Sequence, residues 1–208
     1  MTASAAQLLD LSSWSHRLSA EVLGPGDLAV DLTAGRGHDC LHLARCVASD
    51  RCGTVLAFDI QEEAIASSLA LLHAAGLPAE RICRPQQIGP HGNFLAALSH
   101  ERLELFLPRQ PKVVLANLGY LPGGDHRTAT GTASSLRTAQ DALAALLPGG
   151  RLLLVSYTGH PGGLEEYQGL QHHLATLSPR NWQVLELRPL GRSNAPVLLV
   201  AEKRAPRL

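Results

Sequence analysis

The feature that most restricts the fold of this sequence is the regular alternation of short apolar runs with helix-forming stretches. Apolar runs occupy residues 28–35 (LAVDLTAG), 54–60 (TVLAFDI), 81–88 (RICRPQQI), 112 onward (KVVLANL), 151–159 (RLLLVSYTG), 181–190 and 195–203. Helical spacing or composition fills 8–22, 38–48, 61–75, 93–103, 134–147 and 163–177 between them. Strands separated by helices demand crossovers and a mostly parallel sheet covered on both faces. The last two runs have no helix between them, only Gly191-Arg192-Ser193-Asn194, so one of that pair is expected to run antiparallel. A chain of 208 residues without a repeat or a low-complexity linker is expected to form one domain, 1–208.

Composition narrows the function. Eighteen Lys and Arg balance eighteen Asp and Glu, which excludes a strongly basic nucleic-acid coat but not a local patch. Arg102, Arg109, Arg127 and Arg137, or the tail Lys203, Arg204 and Arg207, are candidates for such a patch, the tail equally for a solvated end. Cys40, Cys46, Cys52 and Cys83 form no C-x-x-C pair and no zinc-finger spacing, so idle thiols in a reducing compartment and no metal are expected. Neither a secretory leader nor a membrane-length apolar run is evident, so a cytoplasmic protein without a membrane partner is expected.

In open parallel sheets ligands lie at the carboxyl ends of the strands, where the strand order reverses. The first run ends in Asp31-Leu32-Thr33-Ala34-Gly35-Arg36-Gly37-His38-Asp39, a glycine turn that lets backbone approach a ligand, or an ordinary tight turn. The second ends in Asp59, a carboxylate able to accept both hydroxyls of a ribose, or a cap for the following helix. Together they favour a nucleoside cofactor. The run from 112 ends in Asn117-Leu118-Gly119-Tyr120-Leu121-Pro122-Gly123-Gly124-Asp125. There an amide can accept from an amine and a ring can stack on a base. The run from 151 leads into His160, followed by Glu165 and Glu166, candidates for substrate contact.

These segments resemble the class I S-adenosylmethionine-dependent methyltransferases of the YtqB-like rRNA methylase family. The pattern D-x-T-x-G-x-G-x-D is similar to Asp31, Thr33, Gly35, Gly37 and Asp39, and N-L-G-Y-L-P-G-G-D stands unbroken at 117–125. Y-x-G-H-x-G-G-x-x-E stands at Tyr157, Gly159, His160, Gly162, Gly163 and Glu166, and N-x-P at Asn194 and Pro196. The family's histidine after its third strand is matched to His91. Two positions depart from the pattern: His126 replaces a Lys, and Gly89-Pro90 stands where Asp-Ser precedes that histidine.

The resemblance implies a Rossmann-like, seven-stranded sheet of order 3-2-1-4-5-7-6 with the last strand antiparallel. It implies S-adenosyl-L-methionine as cofactor, S-adenosylhomocysteine as product, and the anticodon region of tRNA as partner. The implied reaction converts 5-aminomethyluridine, with or without 2-thiolation, to 5-methylaminomethyluridine at the wobble position. Asp31, Thr33, Gly35, Gly37, Asp39, Asp59, Ile60, Asn117 and Leu118 would bind the cofactor. Asn117, Tyr120, Asp125 and His91 would serve catalysis, and Tyr120, Asp125, His160 and Glu166 would hold substrate. A homodimer is among the expectations. Two other classes stay open: a methyltransferase for rRNA or a small molecule, and a nucleoside-binding protein without turnover.

Overall fold

A computed structural model of the chain describes residue 8 and residues 10–48, 52–119, 131–192 and 195–205. The candidates Tyr120, Asp125, Arg127, Asn194 and Arg207 lie outside the described residues. The strands are β1 (Leu28–Asp31), β2 (Thr54–Asp59), β3 (Ala79–Ile82), β4 (Gly92–Ala97), β5 (Val113–Leu118), β6 (Arg151–Ser156), β7 (Trp182–Leu187) and β8 (Val197–Lys203). Helices α1 (Leu11–Ala20), α2 (His38–Val47), α3 (Glu62–Ala74), α4 (Leu103–Phe106), α5 (Thr132–Ala145) and α6 (Gly163–Ala175) connect and cover them. The strands form one 8-stranded sheet in the order β3-β4-β2-β1-β5-β6-β8-β7. Among the described strands only β8 runs against its neighbours, β6 on one side and β7 on the other. This is the Rossmann-like architecture expected, with one strand more than the seven.

Two strands, not one, lie between α3 and α4. Residues 93–103 are expected as a helix, but Gly92–Ala97 pairs in full with Thr54–Asp59 of β2. The alanines and leucines there suit a buried strand as well as a helix, and the vacancy beside β2 decides between them. Ala79–Ile82 then becomes a short edge strand beside β4, and residues 85–87 close into a single 3-10 turn. With β3 set aside, the remaining order is 3-2-1-4-5-7-6.

The pleat sorts side chains by parity, since successive residues of a strand face opposite sides. Ala29, Val55, Ala57, Val113, Leu115, Leu153 and Val155 pack with Leu11, Cys40, Leu43, Ile65 and Leu72 of α1, α2 and α3. Val30, Leu56, Phe58, Val114, Ala116, Leu152 and Leu154 pack with Leu103, Phe106, Leu143, Tyr167 and Leu170 of α4, α5 and α6. Hence Asp31, Asp59 and Asn117, each one or two residues beyond these positions, share the α1–α3 face at the carboxyl edge. Strand order reverses between β1 and β5, so Asp31 and Asn117 stand on either side of the reversal.

Candidate functional site

The glycine turn after β1 is tied down at several points. Thr33 donates its N–H to Asp31 Oδ1 at 3.0 Å, and its hydroxyl oxygen accepts from the Asn117 N–H at 2.7 Å. Gly35 donates to Asp59 Oδ2 at 2.9 Å, while Asp59 Oδ1 accepts from Gln61 N at 2.9 Å. Asp59 therefore ties the glycine turn to Gln61, the residue that precedes α3. Gly37 has φ 86°, and a Cβ there would lie 2.7 Å from the Cα of Ser68 on α3. Ile60, next to Asp59, is exposed at the rim, whereas Leu118 is buried toward α4–α6.

Asp31 is fully buried, and burial pushes its carboxyl well above the usual range, with the Asp39 charge adding to it. Its Oδ2 and Asn117 Oδ1 are buried acceptors without a partner among the described residues. Asp39, in the first turn of α2, uses both carboxylate oxygens on protein partners. His16 Nε2 lies 2.5 Å from Oδ1, and the Asn117 amide nitrogen donates to Oδ2. His16 in turn stacks on His42, centroids 4.0 Å apart and planes 4° apart. Burial and then the neighbouring His16 push His42 down to about 4. His16 and His42 carry no motif and are not foreseen. Their meeting joins α1 to α2, which β1 separates along the chain.

The opposite face of the same edge differs. Glu166 is buried at 1% exposure and accepts from Ser135 Oγ at 2.5 Å, its Oε2 having no partner among the described residues. It is thus a buried tie between α5 and α6 rather than an open substrate contact. His160 lies beside the strand exit, its Nε2 3.6 Å from where a Cβ on Gly119 would sit. Tyr157 directly follows Ser156, which pairs with Leu118; burial raises its pKa and the Ser12 side chain of α1 opposes that.

His91 requires correction. It immediately precedes β4, whose first residue pairs with Thr54, so it sits at the amino edge, away from Asp31 and Asn117. The expected strand over 81–88 places His91 after it, whereas the strand beside β2 is Gly92–Ala97 and begins just beyond His91. The histidine that does follow β4 is His100, directly preceded by Ser99, the Ser of the expected pair. Burial lowers the His100 pKa, Glu101, Glu166 and Asp59 oppose that, and its Nε2 is buried without a partner among the described residues.

The basic candidates divide likewise. Arg109 donates to the carbonyls of Gly26 and Pro90, and Lys203 to those of Ala144 and Leu146. Arg204 donates to Pro179 O at 2.9 Å. These groups lie at the amino edge, because β8 runs antiparallel and carries the tail away from the site. Arg102 follows β4 at the other edge, and Arg137 lies within α5.

Burial and the Asp31 and Asp39 charges push the Cys40 thiol up, which makes it a poor nucleophile. Among the described residues no His, Cys, Asp or Glu group could hold a metal ion, and no helix is long and apolar enough to cross a membrane.

Comparison with known proteins agrees with this geometry. Residues 55–203 match the family described as "Putative rRNA methylase". The chain is 34% identical over 195 residues to the Arabidopsis thaliana protein "tRNA (mnm(5)s(2)U34)-methyltransferase, chloroplastic", covering 91% of this chain and 68% of that one. A "putative rRNA-methylase" from Clostridium thermocellum superposes with a TM-score of 0.82 at 28% identity, over 92% of this chain and 96% of its own. A "putative methyltransferase" from Streptococcus mutans in complex with SAH gives 0.77 at 25% identity, over 92% and 97%. By the match over more than half of its length and by this relationship, the chain belongs to the rRNA methylase family.

Proposed function

We propose that the protein is an S-adenosylmethionine-dependent methyltransferase that methylates the 5-aminomethyl group of the tRNA wobble uridine. The observation that carries this reading is the pair of unpartnered buried acceptors, Asp31 Oδ2 and Asn117 Oδ1, on either side of the reversal in strand order. Buried acceptors call for donors, and a carboxylate calls for a cation. The methionine end of the cofactor bears an ammonium and a sulfonium, which suit the Asp31 carboxylate, and the substrate amine is a donor that suits the Asn117 oxygen. Asp59 and the exposed Ile60 would take the ribose and base, as the acid closing β2 does in nucleoside-binding sheets. When bound, the cofactor supplies an electrophilic methyl group on sulfur.

The protein's part is mainly positioning. Asn117 accepts a hydrogen bond from the substrate amine through Oδ1, holding its lone pair toward the methyl group. Only the neutral amine attacks, so a proton must leave it. Asp125 and the neutral His100 are the groups assigned to that task; His100 takes the place first given to His91. Tyr120 stacks on the base and His160 contacts the RNA beside it, Arg102 and Arg137 meeting phosphates. The name of the Arabidopsis relative supports this substrate and a compartment holding tRNA.

The test uses tRNA from a strain lacking the methylase, incubated with protein and S-adenosylmethionine, then digested and analysed by nucleoside mass spectrometry. Conversion of aminomethyluridine to its methylated form supports the reading. No methylation of that tRNA, with methylation of rRNA or of a small amine instead, replaces it with the second class. Asn117→Ala is expected to lower the single-turnover rate about tenfold or more at saturating cofactor.

A further inference from the structure

We infer that His16 is a positioning residue for Asn117, acting through Asp39. This inference rests on the methyl-transfer reading above and names a residue of α1 that the cofactor and substrate motifs do not contain. An Asn side chain has two amide orientations that differ only in which side offers oxygen. The Asp39 carboxylate accepts from the Asn117 nitrogen, so the oxygen is turned away from Asp39. Reversal would set that oxygen against an acid. The selection works only while Asp39 keeps its own orientation, and a carboxylate at the start of a helix has rotamers to spare.

His16 removes that freedom. Its Nε2 engages the other oxygen of Asp39 at 2.5 Å, a short bond of the charge-assisted kind. His16 is itself held. Its ring lies flat on His42, and its carbonyl accepts from the hydroxyl of Ser19, whose oxygen lies 3.0 Å from His42 Nε2. The helix carrying it is anchored at both ends. Asp10 caps its start through Ser12 N, and Arg151 at the start of β6 donates to Leu18 O at 2.6 Å and to Glu21 at 2.7 Å. A relay thus runs from β6 through α1 to Asp39 and Asn117.

Two substitutions separate the donor from the ring. His16→Phe keeps the stack on His42 but has no donor; His16→Gln places an N–H near the old Nε2 but has no aromatic ring. His16→Phe is expected to lower the single-turnover rate about tenfold at saturating cofactor while shifting the S-adenosylhomocysteine dissociation constant less than about threefold. His16→Gln is expected to recover the rate to within about threefold of the unsubstituted protein. In an Asn117→Ala background, His16→Phe should cost nothing further, because its effect passes through that amide.

The side-chain amide protons of Asn117 give a readout that needs no turnover. Their exchange with solvent, followed by NMR, should be slow in the unsubstituted protein and in His16→Gln, and fast in His16→Phe. An unaltered rate in His16→Phe, equal losses in Phe and Gln, or additive losses with Asn117→Ala would each overturn the inference. If the unsubstituted protein methylates no tRNA, the functional reading fails on its own, and amide exchange still decides whether His16 holds Asn117.

Discussion

Gly37 and Gly162 occupy the same position in two helices on opposite faces of the sheet. Each is the residue before the first turn, of α2 and of α6, with φ of 86° and 82°. Their surroundings differ. A Cβ on Gly37 would meet the Ser68 backbone at 2.7 Å, whereas one on Gly162 would meet nothing within 4 Å. Gly37 is required by both torsion and space, Gly162 by torsion alone. The lesson concerns the two faces. Around Asp31, Asp39 and Asn117 the turn, α2 and α3 leave no slack, and Ser68, fully buried, also donates to Gly35 O at 3.3 Å. Such packing suits a site that must hold a small cofactor in one pose. Gly162 itself faces open space, though the next residue, Gly163, packs against the Tyr157 carbonyl.

Gly37→Ala tests the contrast most strongly. It should destabilise the protein by about 2–5 kcal/mol, combining left-handed strain with overpacking against α3. Urea denaturation measures this, and a loss no larger than that of Gly162→Ala would erase the distinction between the faces.

Asp31→Asn comes next and has two opposite effects. Removing a buried carboxylate should raise the urea midpoint, because its charge is costly where it stands. The same change should weaken cofactor binding roughly ten- to a hundredfold, the equivalent of about 1.5–3 kcal/mol for a bond to a charged group. Calorimetry showing undiminished affinity in the folded variant would remove Asp31 from the site.

Gly162→Ala should cost only about 1–2 kcal/mol, the strain of the left-handed torsion, and leave cofactor affinity in place. A change in affinity as large as that of Gly37→Ala would show that α6 reaches the cofactor after all.

The smallest effect is in pH. His42 binds a proton near 6.5 when unfolded but only near about 4 when folded. Between those values the unfolded chain holds more protons, so His42 contributes stability that is fully present above 6.5 and lost as pH falls toward about 4. His42→Gln should flatten that part of the stability curve. If the slope between these values is the same in the variant, burial of His42 is not its source.

The strand ends were legible in the sequence because a buried parallel strand reads as an apolar run, and the polar residue that breaks it is conspicuous. Asp31, Asp59 and Asn117 stand out for that reason. The segment 92–97 was not legible, since its pattern fits a buried strand or a helix equally and only the place beside β2 settles it. That one error displaced the histidine from His100 to His91. His16 left no local trace either. Its partner Asp39 is 23 residues away, and a histidine in an amphipathic helix looks the same whether it meets water or a carboxylate. Glu166 stands out in its motif, but its burial against Ser135 depends on how α5 and α6 meet, which no spacing within either helix reveals.

The antiparallel strand β8 imposes an order on the birth of the protein. Among the described strands it is made after all the others, yet it lies between β6 and β7, and Val197–Ala201 are all buried. A ribosome needs about 2–10 s to travel from the end of β6 to the end of β8 at ordinary rates of synthesis. During that interval β6 presents an open, apolar hydrogen-bonding edge of the kind that invites pairing with another nascent chain. Asp31, Asp39, Asp59 and Asn117 are by then already made. A message truncated before codon 197 would therefore yield a chain carrying these site residues and a sticky flank, the sort of product that chaperones and proteases must intercept.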